Sequence, residues 1–204
     1  MLIEKAVSLA LVSAIVVIGS LTSEPTSDPT IATSAQPVDD SAITQEMPRP
    51  GEEHKWIAKR VGKWNIASKM RMTPDTPWMN TKATETCTTI CGGFWISCEF
   101  EGDFMGMKFT GRQTVGFDQH KKKYISTWID SFGSYMTYSE GVRGDDGKSL
   151  HFKGKTFNPT TGTMVDTSMV IVFKNDDEVS MTMRGPDPDG KQFVTMEMLY
   201  TRAR

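Results

Sequence analysis

Apolar and polar residues alternate with a period of two through most of the chain after residue 62, and turn-forming clusters interrupt the alternation. A period of two places every second side chain on one face, the pattern of a half-buried β-strand. The runs predict strands at 63–72, 80–90, 94–103, 107–117, 123–131, 134–142, 149–157, 164–174, 179–184 and 192–202. Between them lie Gly92-Gly93, Gly144-Asp145-Asp146-Gly147, Asn158-Pro159-Thr160-Thr161-Gly162 and similar clusters. Gly, Asn and Asp accept the left-handed backbone of tight turns, so each cluster reads as a hairpin connection. No connection is long and periodic enough for a crossover helix, which excludes parallel βαβ units. About ten successive antiparallel strands predict an all-β fold, an up-and-down β-barrel closed on itself to remove its edges.

The period changes just ahead of the first strand. From Glu52 to Val61, the apolar Trp56, Ile57 and Val61 stand among charged residues, with Glu52 and Glu53 early and Lys59 and Arg60 late. That charge order suits the helix dipole, and Gly62 stops the helix. A short helix is expected, its Trp56 face capping one end of the barrel.

Alternation also predicts which residues point inwards. Trp64, Ile66, Ser68, Met70 and Met72 share a face, as do Phe94, Ile96, Cys98 and Phe100. Met107, Phe109, Gln113, Val115 and Phe117 form a third such set. Val179, Met181 and Met183, and Val194, Met196, Met198 and Tyr200, complete the pattern. Met thus recurs on inward faces in a chain with 14 Met in 204 residues. A flexible, polarisable lining suits apolar ligands of varied shape, whereas Met can equally fill an irregular core. Ten strands make a barrel wider than the eight whose side chains just fill the interior, which favours a cavity.

The residues ahead of the helix change the domain picture. Ala6–Leu21 is an uncharged apolar stretch behind Lys5, so residues 1–23 read as a signal peptide or N-terminal membrane anchor. Residues 24–50 are rich in Ser, Thr, Pro and Asp, too polar to bury a core, and read as a disordered linker. Residues 51–204 form the expected barrel domain. Export to a periplasmic or extracellular location follows, with a membrane tether if the leader stays uncleaved. Of the formal charge of −2, residues 1–50 carry −4 and residues 51–204 carry +2. A domain so near neutrality lacks the basic footprint of a nucleic-acid binder.

The chemistry-bearing residues are few. Cys87, Cys91 and Cys98 are the three cysteines. With Gly92-Gly93 as a two-residue loop, Cys87 faces Cys98 in a hydrogen-bonded pair, where the Cα atoms are widely spaced. Three buried thiols are therefore expected in preference to a bridge, and Cys-x3-Cys-x6-Cys without a nearby His is no zinc spacing. No metal or cofactor is expected. His120 lies in a Lys-rich turn, His54 at the helix start as a surface or capping residue, and His151 on a strand where it points outwards or into the cavity. Asp130, on the face of Trp128, and Glu85, alternating with two Thr, are the weak catalytic candidates. An acid buried at the barrel mouth would serve as a general base if burial raised its pKa, whereas a hydrogen-bonded structural acid is the plainer reading.

Gly62-Lys63-Trp64 after a short helix resembles the Gly-x-Trp opening of the calycin superfamily of lipocalins and fatty-acid-binding proteins. That resemblance implies a basic residue of the last strand packed on the Trp, for which Arg202 is the counterpart. Several further motifs run in the same order along residues 52–202: Glu53-His54-Lys55-Trp56, Thr84-Glu85-Thr86, Gly92-Gly93-Phe94-Trp95, Phe109-Thr110-Gly111, Gly116-Phe117-Asp118 and Thr127-Trp128-Ile129-Asp130-Ser131. Together they resemble the bacterial family DUF1579. The resemblance implies a calycin-like barrel and carries no established activity or catalytic residues. The three cysteines stand where ordinary strand residues are expected.

The sequence therefore predicts an exported barrel binding a small apolar molecule, with Trp64, Trp128, Tyr138, Met181 and Met198 lining the cavity. Two other functions fit the same pattern. One is an isomerase- or hydrolase-type enzyme using Asp130 or Glu85, and the other is a protein-interaction domain with a filled core.

Overall fold

The computed structural model describes residues 48–159 and 161–204. The expected leader, and the linker up to residue 47, lie outside the described residues. A six-residue helix, α1 (Glu52–Ile57), continues into a 3-10 turn at Ala58–Arg60. Ten strands follow: β1 (Gly62–Met70), β2 (Met79–Ile90), β3 (Trp95–Phe104), β4 (Met107–Asp118), β5 (Lys123–Asp130), β6 (Thr137–Arg143), β7 (Ser149–Asn158), β8 (Thr163–Phe173), β9 (Glu178–Pro186) and β10 (Gln192–Arg202). Each pairs antiparallel with its sequence neighbours, and β1 closes the ring on β10 with Trp64 opposite Arg202. The predicted meander is the observed one. Strand β6 starts at Thr137 instead of residue 134, because Asp130 Oδ1 accepts from the Phe132 N–H at 2.9 Å and holds the preceding residues in a loop.

The helix explains how one end of the barrel is shut. Gly51 at its N-cap donates its N–H to His54 Nδ1 at 3.0 Å. His54 is thus a capping residue, but a buried one, edge-on to Phe94 and Phe117. Trp56 and Ile57 point into the ring, with the Trp56 indole 4.7 Å from Phe173 and 5.9 Å from Tyr124. Burying each such side chain contributes about 2–3 kcal/mol, enough to fix so short a helix that could not stand alone. Beneath them Ile96, Val115, Leu150, Phe152, Ile171 and Val179 complete a buried apolar core.

At the first strand, Gly62 has φ +128°, and a Cβ there would strike the Arg202 guanidinium. That guanidinium lies 4.2 Å over the Trp64 ring and donates to the carbonyls of Val61 at 2.9 Å and Lys59 at 3.1 Å. Glycine is therefore needed both for the backbone and for the close approach.

Three sequence expectations are corrected by the strand ends and one hairpin. Met72 and Met107 share the parity of inward residues but stand exposed at the rim, where the sheet that would cover them has ended. Cys87 and Cys98 are bridged, not free. They do face each other as the register predicted, but the hairpin closes through a turn at Cys91–Gly93 with Ile90 opposite Trp95. The longer turn shifts the phase of the ladder, and the two Cα atoms lie 4.0 Å apart, the narrow spacing of a non-hydrogen-bonded pair. Cys91, at positive φ in that turn, is an exposed thiol instead of a buried one.

Candidate functional site

The end of the barrel opposite α1 is open and leads into a cavity of about 270 Å³. Its wall divides by strand. On β3, β4 and β5 stand Phe100, Phe109 and Trp128, with Phe109 stacked 6.3 Å from Trp128 and Phe100 edge-on to both. The Trp128 ring occupies the space that a side chain at Gly111 would fill. Across the cavity lies a methionine wall on β8, β9 and β10. Met169 is opposite Met183, Met183 opposite Met196, and Met181 opposite Met198. Between the two walls runs a band of hydroxyls that includes Ser139 and the hydrogen-bonded pair Thr137 and Thr156, 2.9 Å apart. Phe132, Tyr135, Met105 and Met136 form an exposed apolar rim.

The floor is polar and buried. Arg60, from the 3-10 turn after α1, extends up into the ring and pairs with Glu85 of β2, both side chains almost wholly buried. Arg60 also donates to Gln113 Oε1 at 3.4 Å and lies 5.0 Å over the Tyr200 ring, while its carbonyl accepts from Trp64 Nε1 at 2.8 Å. Burial opposes the guanidinium charge, but Glu85 and then Tyr200 outweigh it, so Arg60 is held firmly cationic. The Tyr200 hydroxyl is pushed above its ordinary range, chiefly by burial and further by the Glu85 charge, with Arg60 opposing. Gln113 Nε2 in turn donates to Ser126 Oγ at 3.0 Å. Glu85, Gln113, Ser126 and Tyr200 face the cavity, and Arg60 lies behind them.

Of the predicted lining residues, Trp128, Met181 and Met198 lie on the cavity. Trp64 and Tyr138 do not, and both are corrected. Trp64 is wholly buried at the closed end, held between Arg202 and the Arg60 carbonyl. Tyr138 sits on the outer surface, its hydroxyl donating to Glu140 at 3.1 Å and accepting from Lys121 at 3.2 Å. Both acid candidates reach the cavity, with different partners. Asp130, near the mouth, accepts from Trp128 Nε1 at 2.8 Å through Oδ2 and from the Phe132 N–H through Oδ1. It therefore orients the indole and fixes the loop. Glu85 lies at the floor, not at the mouth, and is neutralised by Arg60.

Sequence reasoning missed Arg60. As a late base in a short helix it reads as a dipole-complementing residue, and nothing in its own stretch of sequence marks the buried partner Glu85. Glu85, Cys87 and Cys98 cluster closely enough to bind a metal, but the two sulfurs are bonded to each other and supply no thiolate. For the same reason the 3.3 Å approach of Cys87 Sγ to Glu85 is a contact without a donated hydrogen. His151 points outwards, its Nε2 2.8 Å from Ser149 Oγ. Asp146 bonds that hydroxyl instead of the imidazole, and so anchors a turn without activating a nucleophile.

Solved structures share this architecture. The S-type phycobiliprotein lyase CPES from Guillardia theta aligns with TM-score 0.53 at 13% identity, over 76% of this chain and 99% of its own. Rv2717c from M. tuberculosis aligns with TM-score 0.55 at 10% identity, over 76% and 99% respectively. At those identities the likeness is one of fold alone. No curated protein matches the chain at significance. Residues 49–202 match the family of proteins of unknown function DUF1579. The chain therefore belongs to the DUF1579 family, on a closed antiparallel barrel of ten strands.

Proposed function

We propose that the protein binds a small, predominantly apolar molecule inside the barrel. The observation that carries this reading is the division of the interior. The half beside α1 is packed solid, whereas the other half holds a cavity of about 270 Å³ between an aromatic wall and a methionine wall. Concave, mostly apolar sites with a few fixed polar groups are the usual form of small-molecule sites, and this one falls just below their usual range of about 300–1,000 Å³, which suits a small guest. An aromatic face and a row of thioethers give dispersion contacts without demanding one ligand shape. A barrel of similar fold serves as a phycobiliprotein lyase in Guillardia theta; the task of this chain rests on its own residues.

The enzyme reading is weaker, because Asp130 holds Trp128 and a loop N–H while Glu85 is paired with Arg60. Neither carboxylate is left as a ready base. The Cys87–Cys98 bridge and the apolar stretch Ala6–Leu21 support export into an oxidising compartment, periplasmic or extracellular.

Native mass spectrometry of the protein purified gently from its own host, followed by organic extraction, tests the proposal. A stoichiometric apolar adduct is expected. An empty protein that also leaves an apolar dye's fluorescence unchanged would remove the binding function and favour an interaction domain.

A further inference from the structure

We infer that the cavity is built for an uncharged molecule whose polar end is a hydrogen-bond donor, and that it rejects carboxylates of the fatty-acid kind. This rests on the proposed binding function and narrows it to a ligand class. Among the described residues, the carboxylates on the cavity wall are Glu85 at the floor and Asp130 near the mouth, and none of those lining it is Lys, Arg or His. The nearby buried cation, Arg60, is placed behind Glu85 and already donates to it and to Gln113. A guest at the floor thus meets the carboxylate side of a neutral pair.

A carboxylate guest would give up its water there, face Glu85, and find no unpaired cation to replace the water. A buried ammonium fares little better, because Arg60 already neutralises Glu85 and adds a like charge behind it. A hydroxyl, phenol or amide N–H loses far less on desolvation. The polar groups facing the cavity suit it: Glu85 accepts, and the Ser126 hydroxyl, itself accepting from Gln113, can turn its proton either way. The apolar remainder then lies between Phe109 and Trp128 on one side and Met181 and Met183 on the other.

A matched pair differing only in the head group tests the inference. Naphthylmethanol and naphthoate are titrated into the whole protein by calorimetry at neutral pH, beside an apolar dye. The alcohol is expected to bind more tightly by about tenfold or more. Naphthoate binding as tightly as the alcohol, or dye binding with neither of the pair, would overturn the ligand class while leaving the cavity a binding site. Failure of dye and pair alike overturns the binding function, and the inference with it. Glu85→Gln leaves Arg60 without its counter-charge, so the alcohol-to-acid preference should drop by about tenfold or reverse. An unchanged preference in the folded variant counts against the role given to the pair. Should Glu85→Gln fail to fold, Arg60→Met combined with Glu85→Gln replaces the pair by neutral groups of similar size. That double variant should keep the alcohol preference, and loss of it would overturn the inference.

Discussion

The two halves of the barrel are made by the same ten strands yet are filled in different ways. Near α1 the inward side chains are Trp64, Ile96, Val115, Leu150, Phe152 and Ile171, and the helix adds Trp56 and Ile57 to the same space. Near the mouth the inward side chains are Met, Ser and Thr with one aromatic wall and Asp130, and among the described residues no second element enters. A ring of this size is too wide for its own side chains to fill. Only the half given an extra element is packed, so the helix decides which end is core and which end is site. Between the halves lies the Arg60–Glu85 pair, with one partner supplied by each.

That contrast predicts a graded response to substitution. The largest effect is expected at the boundary. Glu85→Ala leaves the Arg60 guanidinium buried without a counter-charge and should lower unfolding stability by about 3–5 kcal/mol, read by urea titration. A loss below about 1 kcal/mol would show that Arg60 is not confined as described. In the packed half, Trp56→Ala should also cost about 3–5 kcal/mol, because its cavity opens among Tyr124 and Phe173 with little room to relax. Removal of the Cys87–Cys98 bridge, by substituting both residues with Ala, should cost about 2–3 kcal/mol, in line with the short loop that it closes. In the open half, Met183→Ala borders existing space and should cost only about 1 kcal/mol while weakening dye binding. Equal losses for Trp56→Ala and Met183→Ala would erase the distinction between the halves.

The smallest effect lies on the outer surface. Lys121 first and Lys123 second hold the Glu140 carboxyl down at about 2. Its folded pKa is thus below its unfolded value, so its contribution is present at neutral pH and fades as pH falls from about 4.5 towards 2. Because the group is only partly covered and lies on the outer surface, the change should be slight and further reduced by salt. The small stability gap between Glu140→Gln and the parent should therefore be present at neutral pH, close as pH falls through that window, and shrink at high salt, as read by urea titration at stepped pH.

Much of the fold was legible because alternation and turn chemistry are local. The strand runs, the pairing of Cys87 opposite Cys98, and the Trp56 plug all follow from short stretches of sequence. What escaped was decided at a distance or by phase. Trp64 obeys inward parity, but parity says nothing of height along the barrel, and Trp64 stands at the filled end. Arg60 reads as a surface base until β2 brings Glu85 across 25 residues of chain. The disulfide turned on whether the hairpin closed over two residues or four, which Cys91-Gly92-Gly93-Phe94 leaves open. Of the cavity, Trp128, Met181, Met198 and both acids were marked by residue type and alternation, whereas the neutral floor required three dimensions.

The pairing of the first strand with the last has a practical consequence. With Trp64 opposite Arg202, and Ala203 donating its N–H to the Lys63 carbonyl at 2.8 Å, the chain enters and leaves the barrel side by side at its plugged end. A purification tag, reporter or surface anchor joined after Arg204 would emerge away from the opening. The barrel can thus be immobilised by its carboxyl end as a sensor with its entrance facing the sample.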